Sequence, residues 1–179
     1  MLLQRLFAPR PARTAGRALY LAASRQARQA VFYRSLAVAD SVEGRFELYS
    51  LHVSLLVLRL KGHGPRAAET AQHLFDAYVK SLDDALREMG VSDVTVGKKM
   101  RKLGSAFYGR MRSYEEAVGA LPETAPLEAL LTRTVLEGRS PEAMGLLAAY
   151  VSRAAETLAR QPLKELLEGR VVWPEVSHV

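Results

Sequence analysis

The chain has 179 residues, of which 49% are apolar, 25 are basic and 19 acidic, and none is cysteine. This length suits one domain, and an apolar share at the globular norm argues against disorder throughout. The absence of a thiol excludes a disulfide scaffold, a cysteine nucleophile, a cysteine-bound zinc and an iron–sulfur cluster.

The formal charge of +6 is unevenly placed. Arg5, Arg10, Arg13, Arg17, Arg25, Arg28 and Arg34 all precede the first acid, Asp40, and the remainder holds 18 basic and 19 acidic residues. Residues 1–12, with Leu2, Leu3, Leu6, Phe7, Pro9 and Pro11, read as a flexible basic and apolar tail. This Arg-rich, acid-free start has the composition of a mitochondrial presequence and lacks the unbroken apolar stretch of a secretory signal. No run approaches the roughly 18–20 apolar residues of a membrane-spanning helix. The richest, Leu48 to Leu60, carries His52 and Arg59 and reads as a buried core helix.

Ala and Leu abound and β-branched runs are scarce, so helices are expected throughout. Leu19, Ala22, Ala23, Ala27, Ala30 and Val31 give helical spacing over 13–33, and Asp40 to Gly44 breaks it. A helix over 45–60 is apolar nearly all round and belongs at the centre of a bundle. Gly62 and Gly64 stop it, and Pro65 opens the next helix, 66–89, whose apolar steps of three and four end at Gly90. On its polar side Asp76–Lys80 and Asp83–Arg87 are spaced as i,i+4 ion pairs. Over 95–118, Val96, Met100, Leu103, Phe107, Met111, Tyr114 and Val118 form one stripe. Two more helices are expected over 126–137, with Thr124 as cap, and 140–160, with Ser140 as cap and Pro141 behind it. A short turn to Leu167 follows. The expected architecture is all-α, a single compact bundle of about six to seven helices spanning 13–170, with 171–179 as a C-terminal tail.

Catalytic chemistry finds little footing. Glu69, His73 and Asp76 share a helix face, but the spacing misses the Glu-x-x-His of di-iron bundles, and a solvated, salt-bridged face explains them. No His-Glu-x-x-His, Gly-x-Ser-x-Gly or phosphate-binding glycine loop is present. His52 invites a reading as buried acid/base or haem ligand, but a core histidine with one hydrogen-bond partner is the expectation. No catalytic residue, metal or cofactor is expected. The unusual feature is cationic: Lys98, Lys99, Arg101, Lys102, Arg110 and Arg112 lie in fifteen residues without an acid. Such mutual repulsion is relieved by an acidic or phosphate partner, so these six are the candidate partner-binding residues. Aromatic interleaving for base stacking is poor, with Tyr108 alone free, which leaves ribosomal RNA or acidic lipid headgroups open. The N-terminal arginines with their apolar neighbours likewise suit an anionic membrane surface.

Several stretches carry a family likeness in order and spacing: Val42-Glu43-Gly44-Arg45-Phe46-Glu47-Leu48-Tyr49 with Leu51-His52-Val53, then Leu82 to Asp93, Val96-Gly97-Lys98-Lys99-Met100, and Ala106-Phe107-Tyr108-Gly109-Arg110 with Tyr114. The residues that carry it are Gly44, Arg45, Phe46, Glu47, His52, Asp83, Leu86, Arg87, Gly90, Gly97, Met100, Phe107, Tyr108, Gly109 and Arg110. Over about Leu19 to Val118 the chain resembles the ubiquinol–cytochrome c chaperone family, the Cbp-three-like cytochrome b assembly factors, in its bacterial branch. The segment from Leu3-Gln4-Arg5-Leu6-Phe7 onward looks like that branch rather than a cleaved presequence. The resemblance implies a non-enzymatic all-α chaperone. It would bind newly synthesised cytochrome b on the way into ubiquinol–cytochrome c reductase. Family members in mitochondria work with a small helical partner and sit on the ribosome near its exit tunnel. The implied location is the cytoplasm and the inner face of the cytoplasmic membrane in a bacterium, or the mitochondrial matrix and inner membrane in a eukaryote. The competing reading is a ribosome- or RNA-associated accessory protein using the basic face of helix 95–118. A helical metal or haem enzyme is the third.

Overall fold

The computed structural model describes residues 11–138 and 140–176. Among them the chain forms α1 (Pro11–Ala27), α2 (Ala30–Arg34), α3 (Val42–Leu60), α4 (Pro65–Glu88), α5 (Asp93–Gly119), α6 (Ala125–Thr134), α7 (Pro141–Arg160) and α8 (Leu163–Leu166), and no strand. Six are long and two are single turns, in agreement with the all-α bundle read from the sequence.

α3 is the axis of the bundle. Every residue from Ser50 to Leu56 is buried, as are Leu48 and Leu60, because α1, α4, α5 and α7 surround it. Its start is fixed twice. Ser41 Oγ accepts from the Gly44 amide at 3.0 Å, satisfying one of the helix's free N–H groups. A Cβ at Gly44 would stand 2.1 Å from the Ala39 carbonyl oxygen, so only glycine fits where the chain doubles back. Its end is the expected glycine turn, with Gly62 at φ +80° and Gly64 at φ +87° before Pro65.

α4 presents Ala67, Thr70, Leu74 and Tyr78 inward at steps of three and four. α1 crosses it closely at Gly16, whose absent side chain lets the Leu74 amide and the Thr70 carbonyl approach. The expected single helix over 13–33 is instead two. It breaks at Gln29, whose backbone is extended, so that Phe32 can enter the core, and Tyr33 Oη donates to the freed Ala27 carbonyl at 2.8 Å. α6 ends at Thr134, earlier than the expected 137, because Glu137 and Gly138 both adopt positive φ. α7 starts at the expected cap, with Ser140 Oγ accepting from Ala143 N at 3.2 Å. Its C-terminal carbonyls are held by Arg59, which donates to Leu158 O at 2.6 Å and Gln161 O at 3.0 Å.

Residues 171–176, read above as part of a tail, have no regular secondary structure and run across the bundle. Val171 and Trp173 pack against the core, and Val176 is buried. Gln161 anchors this strap: the Val172 amide donates to its Oε1 at 3.1 Å, and its Nε2 donates to Glu165 at 2.8 Å.

Candidate functional site: an aromatic groove beside a cationic helix face

His52 is fully buried, and both ring nitrogens are engaged, one more than the sequence suggested. Nδ1 lies 2.8 Å from the Leu48 carbonyl, which can only accept, so Nδ1 carries the proton. Nε2 then accepts from Tyr150 Oη at 2.8 Å, and Tyr150 Oη accepts from Gln26 Nε2 at 3.0 Å. Phe32 and Trp173 meet the ring edge-on, with centroids at 5.5 and 5.1 Å. Burial disfavours the imidazolium and lowers its pKa to about 4, against a smaller opposing effect of the Leu48 carbonyl. Burial likewise pushes the Tyr150 hydroxyl up. A neutral histidine with no exposed atom and no spare nitrogen is a core element, inaccessible to a substrate or haem.

Glu69 and Asp76 flank His73 at 3.8 and 3.7 Å on the partly exposed face of α4, and no cluster suited to a metal occurs among the described residues. On the same helix Lys80 pairs with Asp84 at 3.0 Å instead of Asp76, which accepts from Gln72. Arg87 holds Asp83 at 2.7 Å and also Asp93 across the α4–α5 turn, which Gly90 makes at φ +77°. Leu86 is buried, 8% exposed, and Arg45 pairs with Asp40 while lying over the Tyr33 ring.

The six cations of α5 divide. Arg110 faces inward and grips Glu47 of α3 in a two-pronged pair, both N–H···O distances 2.8 Å, with Glu47 only 9% exposed. It is therefore a joint between α3 and α5. Arg112 pairs with Glu116 one turn on at 3.0 Å. Lys98, Lys99, Arg101 and Lys102 are exposed and meet no carboxylate among the described residues.

Where α5 passes α4 and the end of α3, a groove of about 310 Å³ opens. Its walls include Val57, Ala68, Ala71, Phe75, Tyr108 and Met111. Phe75 stacks on Phe107 with centroids 5.2 Å apart and on Tyr108 at 5.6 Å, while Phe107 reaches the buried Tyr78 at 5.0 Å. Phe107 is thus core, whereas Tyr108 is 65% exposed. Lys61 stands at the rim, paired with Glu115. Contiguous aromatics and a methionine at the surface are what an apolar partner segment requires. The groove was not read from the sequence, although Phe75 beside the α4 stripe and Tyr108 beside the α5 stripe were its signal.

The outward side of α5 is unusual in a second way. A Cβ added at Gly97, Gly104 or Gly109 would meet nothing within 4 Å. Each glycine in a helix interior costs about 1 kcal/mol relative to alanine, and no close approach among the described residues offsets it.

The sequence model of the ubiquinol-cytochrome C chaperone family matches residues 34–173, most of the chain. The chain belongs to this family. It is 26% identical over 145 residues to the ubiquinol-cytochrome-c reductase complex assembly factor 1 of Xenopus laevis, covering 79% of this chain and 72% of that protein. The same identity holds for the mouse protein of that name, of which the chain spans about half (48%). The crystal structure of the Cbp3 homolog from Brucella abortus superposes with a TM-score of 0.85 at 34% identity, over 98% of each chain. In this chaperone, then, most residues that carried the family likeness have structural duties: Gly44 at a close contact, Glu47 with Arg110, His52 with Tyr150, Arg87 across a turn. Phe46 packs partly buried against the core and Met100 is half-buried on α5. Gly97, Tyr108 and Gly109 lie on the surface.

Proposed function

We propose that this chain is a non-enzymatic assembly chaperone for ubiquinol–cytochrome c reductase that holds an apolar helix of newly synthesised cytochrome b in the groove between α4 and α5. The observation that carries this reading is a surface cluster of Phe75, Tyr108 and Met111 on a member of an assembly-chaperone family. A membrane protein awaiting insertion exposes apolar helices, and laying one into an apolar groove excludes water from both. Lys98, Lys99, Arg101 and Lys102 belong to a partner contact, since no carboxylate among the described residues neutralises them. Arg13, Arg17 and Arg25, spaced along the outer side of α1 around the exposed Leu21, also meet no carboxylate among the described residues and attach the escort to an anionic membrane surface. No helix among the described residues is long and apolar enough to cross a membrane, in keeping with peripheral attachment.

The test is a tagged chain expressed in cells lacking the native gene. Cytochrome b should co-purify with the wild type, and ubiquinol–cytochrome c reductase should be restored while cytochrome oxidase is unaffected throughout. Ala68→Glu places a carboxylate in the groove at an exposed position, so folding is spared; it should abolish capture and restoration together. Normal reductase assembly with Ala68→Glu would remove the groove from the mechanism.

A further inference from the structure

α5 runs Val94, Lys98, Arg101, Ser105, Tyr108 and Arg112 along its outward side in alternating steps of four and three. All six are exposed, Val94 at 92%, although the Tyr108 ring also meets Phe75 of α4 and borders the client groove. The nearby acids are spoken for: Asp93 by Arg87, Glu115 by Lys61 and Glu116 by Arg112. The face therefore has an uncompensated excess of positive charge together with an exposed ring and an exposed valine. On either side of it Gly97, Gly104 and Gly109 leave the backbone bare, and no described residue fills the space.

We propose that this outward face of α5 docks an acidic α-helix of a partner polypeptide, seated across the glycine notches. This rests on the outward cations being a partner contact and goes beyond the client groove. Charge complementarity names the sign of the occupant. Lys98 stands three residues before Arg101 and four before Lys102, about one 5.4 Å helical turn, which is the interval at which a facing helix offers carboxylates. The glycines name its shape. The approach of two helices is limited by the side chains at their crossing, so bare backbone there permits a close crossing. An anionic bilayer or a nucleic acid is met by the tips of long cationic side chains and gains nothing from missing Cβ atoms. Single-stranded RNA would also want several stacking rings, and this face has Tyr108 alone.

The experiment uses fluorescence anisotropy with the full chain and four probes: a designed helical peptide with Glu on one face and Ala elsewhere, its Lys-for-Glu counterpart, phosphatidylcholine–phosphatidylglycerol vesicles, and polyuridylic RNA. The acidic peptide should bind and the basic one should not. Gly97→Leu with Gly104→Leu fills two notches without a clash inside the chain, and should weaken the acidic peptide about tenfold. The same variant should melt no lower than wild type, because leucine favours helix more than glycine does. Lys98→Glu with Arg101→Glu should abolish binding, and the groove variant Ala68→Glu should leave it unchanged even where client capture fails. Undiminished peptide binding by the leucine variant overturns the proposal. So does absence of acidic-peptide binding by the wild type, whatever the vesicles and RNA do.

Discussion

Acid should weaken this protein through a single histidine. In the folded chain His52 holds its neutral form to a pKa of about 4, against 6.5 for an unhindered imidazole, because no water reaches it. Between those values the unfolded chain binds a proton that the folded chain refuses. Stability from this group is therefore complete above about pH 6.5, declines as pH falls toward 4, and changes no further below that. At about 1.4 kcal/mol per tenfold change in proton affinity, the drop amounts to about 3 kcal/mol across the window. Carboxylates titrate over the same range, so the informative quantity is a difference. Urea unfolding of wild type and His52→Gln at closely spaced pH values isolates it, followed by the fluorescence of Trp173, the sole tryptophan, which lies edge-on to the imidazole. The advantage of wild type over His52→Gln should shrink by about 3 kcal/mol from pH 7 to pH 4. A difference that stays flat would mean that the ring is hydrated or already charged in the native state, and the tautomer argument would fall with it.

Glu47→Gln should cost about 2–3 kcal/mol by stranding the Arg110 guanidinium, a discount from the fully buried case because Arg110 retains partial exposure. A Leu–Leu replacement of the pair should recover most of that in thermal melts, and additive losses would deny the pairing. Gly44→Ala should lower stability by about 3 kcal/mol or prevent folding, whereas Gly104→Ala should raise it by roughly 0.5–1 kcal/mol; equal effects in calorimetry would contradict the contrast in space around the two positions. Trp173→Ala should cost about 3 kcal/mol and, by admitting water, return the His52 pKa toward 6.5, as read by NMR titration of the imidazole.

The helices were legible wherever the apolar positions kept to one side of the helix. The α4 and α5 stripes and the glycine turn at Gly62–Gly64 follow from residue type and spacing alone, and α3 announced its central place by being apolar all round. Arg110 shows where residue type misleads. Grouped by charge it joins Lys98 to Lys102, yet it stands three residues after Phe107 and four before Tyr114, both buried, so its position along the stripe already turned it inward. The break at Gln29 and the approach of Tyr150 to His52 were not legible. Both depend on Phe32 and on a contact spanning 98 residues, and no local pattern encodes how distant helices settle. The groove lies between these cases: its rings stood on two readable stripes, but their meeting required the packing of α4 on α5.

The strap bears on how such a chain matures. Synthesis runs from the N-terminus, so His52, Phe32 and Gln26 leave the ribosome long before Trp173, which closes over the imidazole with Gln161 pinning the adjacent backbone. Until residue 173 emerges, that wall of the interior stands open to water. The chaperone thus seals this wall of its interior only once residue 173 has been made, and a truncation short of Trp173 should leave a bundle that is helical yet unsealed.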